Sequence, residues 1–261
     1  MSHSQATFSI PDAKRILSKL HEMVKQHPVL AHEYLQRMET ADFPNVHFAF
    51  KDFAQQYYAY SRHFRCYVGI VLAKLSNEKH RTLLMHNIEE ENGILHEDDL
   101  QKLGKYGINS SWVSGIPHVQ LWDRFRSALG IQPGDQSFSQ AAIRFNQFKL
   151  NYLASITATQ GVIALGVATE RIVPAMYEKI HQGLKKSALK PEDYVFFPLH
   201  YIVDEGHAEA LDQLAIELIA MQENTIQELK ETVSRVLDER NRFFDDLLLR
   251  AMDMLPVGSS N

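Results

Sequence analysis

The stretch FFPLHYIVDEGHAEALDQL, from Phe196 to Leu214, places three ionisable side chains where an amphipathic helix should be apolar. At about 100° per residue, Phe196, Val203, Ala210, Leu211 and Leu214 share one face. Glu205, Glu209, Asp212 and Gln213 take the other. His200, Asp204 and His207 fall inside the apolar stripe, at spacing i, i+4, i+7 along one ridge. A carboxylate buried among leucines must be paired or neutralised. A His–Asp hydrogen-bond network would satisfy it. Neutral imidazoles flanking a carboxylate also suit iron, manganese or zinc.

Two further segments offer matching groups. In HNIEEENGILHEDDLQKLG, Glu89 and His96 are seven apart and share a helical face with Met85, Leu100 and Leu103. Gly93 lies between them, and a mid-helix glycine costs about 1 kcal/mol against alanine. A bulky neighbour or a bound ligand close to that position would explain it. Glu90 and Glu91 point elsewhere and read as solvated charges; a charged surface helix is the competing account of the whole segment. In GVIALGVATERIVPAMY, Glu170 stands among Ile163, Val167, Val173 and Tyr177. Pro174 leaves the Glu170 carbonyl without its helical donor, so a kink is expected at Glu170. A salt bridge to another helix is the competing account of that side chain.

Three carboxylates and three histidines exceed a closed four-ligand zinc site. They suit two metal ions with open positions. Each histidine must bind in its neutral form, so metal affinity should fall in acid. The spacing is not the Glu-x-x-His of ferritin-like bundles.

These side chains need helices to hold them, and nearly every stretch reads at helical period. Ser9 caps a first helix, with Pro11 and Asp12 in its first turn. Long helices are expected over about Val46–Leu75, Asn77–Leu103, Gln140–Lys186 (interrupted near Ala158–Gly161) and Tyr194–Met221. Asn224 is expected to cap a last one to about Met254. Alternating strands joined by tight turns are nearly absent. The reading is all-α, one domain over residues 1–261 with its core at about 45–254. The net charge of −5 offers no basic surface for nucleic acid. No apolar run approaches about 20 residues, so no membrane span is expected. The N-terminal residues lack a signal-peptide pattern. A single cysteine, Cys66, fits a reducing compartment, so a cytoplasmic protein is expected.

The three segments together resemble the heme-oxygenase-like diiron oxidases and oxygenases, a branch of the TenA/PqqC-like superfamily. The resemblance is carried by Glu89 and His96, then Glu170, then His200, Asp204 and His207, with the surrounding NIEEENG, ERIVPAMY and FFPLHYIVDEGHAEAL. It implies a seven-helix bundle of heme-oxygenase type that binds no heme. It implies that those six residues hold two non-heme iron ions, with the carboxylates of Glu89, Glu170 and Asp204 at the reacting centre. O2 would be the co-substrate, and a small amino acid, fatty acid or aromatic metabolite the molecule oxidised. A homodimer is expected. Some members of the family use their own tyrosine, often placed just before the bridging glutamate; this chain has Thr169 there. Tyr57, Tyr58, Tyr177 and Phe196 are the candidate pocket residues.

Three alternatives share the fold or the composition. A TenA-type hydrolase would need Cys66 as nucleophile. A PqqC-like cofactorless oxidase would need no paired carboxylates. A helical binding protein would need no reactivity at all. The other histidines, His118 among them, show no paired spacing with carboxylates on an apolar face.

Overall fold

Helical propensity and periodic apolar residues set the architecture. A computed structural model describes residues 8–203, 205–221 and 224–253, without the side chains of 205–208. The first helices are α1 (Ile10–Gln26), α2 (Glu33–Thr40), α3 (Val46–Ser61), α4 (Phe64–Leu72) and α5 (Glu78–Glu91). Next come α6 (Glu97–Lys105), α7 (His118–Ala128), α8 (Gln140–Ser155) and α9 (Ala158–Val162). The chain closes with α10 (Val173–Leu184), α11 (Phe196–Val203), α12 (Glu205–Ala220) and α13 (Ile226–Asp253). No strand occurs among the described residues. None of their helices is long and apolar enough to cross a membrane.

The expected all-α class holds, but the long helices are divided into more segments than seven. The run from Val46 breaks at Arg62–His63. There the His63 ring bonds the Ala59 carbonyl (3.0 Å) and the Tyr67 hydroxyl donates to the Tyr60 carbonyl (3.1 Å). Side chains thus compete for the acceptors a continuous helix would use. Ser9 caps α1 as expected, its Oγ accepting from the Asp12 amide. The last helix is capped by Thr225 rather than Asn224. Thr225 and Glu228 form a reciprocal capping box, with each side-chain oxygen accepting the other's backbone N–H.

The core runs along α13, whose Val233, Val236, Leu237, Phe243, Phe244 and Leu247 are buried against α3, α8, α1 and α2. The N-terminal segment is fastened over it by three histidine–aspartate contacts: His21–Asp212 (3.1 Å), His27–Asp238 (3.2 Å) and His32–Asp245 (3.1 Å). Close backbone approach sets one helix pair. A Cβ at Gly183 of α10 would lie against the Met38 carbonyl of α2, so only glycine permits that contact.

Helix α5 is tied to α12 by His80 Nε2 and Glu217 Oε2, 2.9 Å apart. The Glu217 carboxyl is held at about 2 against an ordinary 4.5, first by the Gln213 side-chain hydrogen bond and then by the one from His80. A depressed carboxylate contributes stability that is complete above about pH 4.5 and lost as pH falls through about 2. Glu217→Gln should therefore flatten the acid limb of the denaturant midpoint over that window and leave the neutral limb's slope unchanged.

Candidate functional site

Glu91, His118, Glu170 and His200 meet in one cavity, contributed by four separate segments rather than by a shared helical face. Glu91 is the last residue of α5 and His118 the first of α7. Glu170 opens a single 3-10 turn before α10, and His200 lies on α11. All four line the same cavity, which has about 40 Å3 of free space. Ligand atoms of Glu91, His118 and His200 lie within 4.8 Å of one another. His118 Nδ1 is 3.0 Å from Glu91 Oε1, and the two imidazole rings are centred 4.6 Å apart.

Each of these groups is held by its local chain. Helix α5 stops at Asn92 because Gly93 adopts φ +86°, which L side chains rarely do. A Cβ at Gly93 would sit 2.6 Å from the Ile116 backbone, and the Gly115 amide donates to the Gly93 carbonyl at 2.9 Å. The chain therefore leaves at 93, makes an excursion that includes α6, and returns to touch its own departure point. Glu91 and His118 stand two residues outside that pinch. Arg65 donates to the Asn92 side chain (2.5 Å), tying α4 to the end of α5. Leu121, Trp122 and Phe125 bury the other end of α7, and the Trp122 indole donates to the Ala54 carbonyl (2.9 Å). His200 Nδ1 is 2.6 Å from the Phe196 carbonyl. A carbonyl can only accept, so Nδ1 carries the proton and Nε2 presents its lone pair. That is the arrangement by which proteins orient a metal-binding imidazole.

Glu170 sits where the helix changes type. Ile163–Val167 is a π turn, and Thr169 is non-helical. The kink expected from Pro174 is thus a full break, with the proline in the first turn of α10. The Thr169 hydroxyl donates to the Ala164 carbonyl and accepts from Lys149 Nζ, both at 2.8 Å. Short π segments of this kind recur at functional sites.

The electrostatics follow from burial and neighbours. Burial alone would raise the Glu91 carboxyl; the charge and hydrogen bond of His118, with His200 and Arg65 behind them, bring it below the ordinary value. Lys149 is pushed well down by burial and by Arg240, against the pull of Glu170. Burial pushes the Tyr177 phenol well up.

The positions anticipated from sequence are distributed unevenly. Glu170 and His200 are buried in the cavity wall. Glu89 and His96 are both exposed and line no part of it. Their seven-residue spacing has no meaning once the helix ends at 92, and Gly93 makes room for backbone rather than for a ligand. Glu91, read as a solvated charge, faces His118 instead, and Glu90 is buried. Asp204 and the side chain of His207 lie outside the described residues. Tyr177 and Phe196 line the cavity. Tyr57 is fully buried behind it, and Tyr58 faces a separate cavity with Arg62 and Arg126. Arg171, next to Glu170, pairs with Asp212 of α12. Cys66 is exposed and does not line this cavity.

His118 was the residue hardest to find from sequence. The available signal was its position at i, i+3, i+4, i+7 with Leu121, Trp122 and Phe125, an apolar face that a solvated histidine would not share.

Comparison with known proteins bears on the fold and the family. The chain is 25% identical over 191 residues to the 4-aminobenzoate synthase of Chlamydia trachomatis serovar D, covering 71% of this chain and 73% of that one. Solved structures are similar in fold. A CADD-like protein of unknown function from Nostoc punctiforme superposes with TM-score 0.71 at 15% identity, over 93% of this chain and 100% of that one. A TenA homologue from Pseudomonas syringae pv. tomato gives 0.66 at 14%, over 95% and 100%. A domain of unknown function with a heme oxygenase-like fold from Shewanella denitrificans gives 0.58 at 14%, over 93% of each chain. The fold is therefore heme oxygenase-like. The sequence profile described as iron-containing redox enzyme matches residues 51–240, a span that holds all four cavity side chains and runs from α3 into α13. The chain belongs to the iron-containing redox enzyme family.

Proposed function

We propose that this protein is a non-heme iron oxidase that uses O2 to oxidise a small organic molecule in the cavity. Glu91, His118 and His200 would hold one ion. Glu170, on the same wall, would share in a second, together with Asp204 and His207, four and seven residues beyond His200 in sequence. The observation that carries the reading is the convergence of one carboxylate and two imidazoles from three different helices within 4.8 Å. That nitrogen–oxygen donor set fits iron, and too few thiolates are present for a sulfur site. When bound, iron supplies the redox chemistry by which O2 becomes a competent oxidant.

The chain's own contribution is positioning and exclusion. His200 enters in the right tautomer because the Phe196 carbonyl fixes its proton. Trp122, Tyr177 and Phe196 wall the cavity with rings, Trp122 edge to face with Phe196 at a centroid separation of 4.8 Å and Tyr177 tilted against Phe196 at 5.6 Å. A dry wall of this kind keeps water from a reactive centre and strengthens every polar contact inside it. Protein purified without oxygen and titrated with ferrous iron should bind about two equivalents, on the count of six ligands. The loaded protein should then consume O2. Binding of no iron under those conditions would sink the reading.

A further inference from the structure

A second cavity, apart from the one lined by Glu91 and His118, lies between the end of α3, helix α7 and the turn at residues 131–136. It has about 190 Å3 of free space, against about 40 Å3 in the first. Ser61 and Trp122 line the first cavity, and Arg62 and Asp123, the next residues along, line the second. Helices α3 and α7 therefore wall both. Tyr58, expected from the sequence among the pocket residues, belongs to this second one.

Two guanidinium ions flank the Tyr58 ring, Arg126 at 4.0 Å and Arg62 at 5.7 Å from its centre. Arg126 is buried and almost fully engaged. It donates to Asp123 Oδ1 (3.0 Å), Gln55 Oε1 (2.9 Å) and the Asp135 carbonyl (2.6 Å). Arg62 differs. Its guanidinium stacks on Tyr58 and on Phe138, the latter at 4.9 Å, but its side chain has no hydrogen bond or ion pair among the described residues. Stacking on rings orients the guanidinium plane and leaves its in-plane N–H fork uncommitted.

The carboxylates on the wall are already in use. Asp123 takes Arg126 on one oxygen and the Tyr58 hydroxyl (3.2 Å) on the other. Asp135 Oδ1 accepts from the Ser137 amide (2.8 Å) and from Gln55 Nε2 (3.2 Å). Lys51 adds a further positive charge at the start of the turn, with its Nζ 3.3 Å from the Gly130 carbonyl. Three cations thus stand around two engaged carboxylates, and Arg62 is the cation left over.

We propose that this second cavity is an oxyanion site that receives the phosphate group of a small ligand, with Arg62 as the principal donor and Arg126 as a fixed charge beside it. An arginine fork matches two phosphate oxygens at once. Phosphate is favoured over carboxylate because it brings three acceptor oxygens and more than one negative charge to a site with two arginines. The site stands apart from any iron chemistry in the first cavity.

The test is calorimetry on the full-length protein at fixed ionic strength, with inorganic phosphate, acetate and chloride as probes, since screening by salt would otherwise mask the comparison. One phosphate should bind per chain, at least about ten-fold more tightly than acetate or chloride. Arg62→Met keeps an apolar stem and removes the fork, so it should weaken phosphate by about ten-fold or more. Arg62→Lys keeps the charge and should lose less. Asp135→Asn keeps an acceptor for the Ser137 amide but removes a negative charge, so it should tighten phosphate binding. Iron uptake should be unchanged in Arg62→Met. The assignment is overturned if phosphate binding does not saturate, if acetate binds as well, or if both Arg62 variants bind phosphate like the wild type. It is also overturned if phosphate binding is lost in His118→Ala and kept in Arg62→Met, which would put the anion in the first cavity.

Discussion

His118→Ala should remove the iron ion assigned to Glu91, His118 and His200, while Glu89→Ala and His96→Ala should leave iron uptake intact. Loss of an outer partner of a metal ligand already costs 10- to 100-fold in affinity. Removing an imidazole that faces both Glu91 and His200 should cost more than about 100-fold. Glu91→Ala and His200→Ala should match it, because all three ligand atoms fall within the same 4.8 Å. Glu89 and His96 are exposed, and their removal should not register. The measurement is iron content after anaerobic loading and desalting, with far-ultraviolet circular dichroism to show that each variant keeps its helices. If Glu89→Ala emptied the protein while His118→Ala did not, the cavity would be the wrong place for the metal.

The second large effect belongs to Gly93. Alanine there meets two penalties. The left-handed backbone costs a non-glycine residue about 1–2 kcal/mol. The new methyl would also sit 2.6 Å from the Ile116 backbone, which cannot rotate away as a flexible side chain could. We expect Gly93→Ala to lose about 3 kcal/mol or more of stability and to lower iron affinity, since the contact it breaks sets Glu91 against His118. Gly115→Ala is the control. Its φ is +71°, but a Cβ there meets nothing within 4 Å, so only the backbone cost of about 1–2 kcal/mol should appear. Chemical denaturation of the two variants separates the clash from the strain. Equal losses would mean that the contact at Ile116 gives way at no cost.

The contrast between Gly93 and its neighbours explains how far the site could be read from sequence. Glu170 and His200 were legible because each interrupts a long apolar run, and a charge among leucines needs a reason wherever it lies. Glu91 and His118 were not, because they come from two helix ends and have no periodic relation to each other. Choosing Glu89 over Glu91 followed from extending one helical wheel through Gly93. Gly93 stands out in the sequence, but its left-handed φ is a backbone property that a wheel does not represent. The long helix from Val46 failed for a related reason. Its break goes with His63 and Tyr67 reaching carbonyls four and seven residues back, a matter of side-chain direction rather than of hydropathy. The class of fold was read correctly because it depends only on period and on the scarcity of alternating runs.

The closed base of the excursion between residues 93 and 116 has a consequence for how such a protein can diversify. Both ends are locked to each other, so the spacing of Glu91 and His118 is set at the base, while Leu103, Ile108 and Val113 bury the excursion in the core and α6 packs against α11. Its exposed positions, such as Ile94 and Tyr106, are free to change without moving either side chain, whereas Leu103, Ile108 and Val113 are not. The stem would carry the chemistry forward unchanged while the exposed side of the overhang drifted.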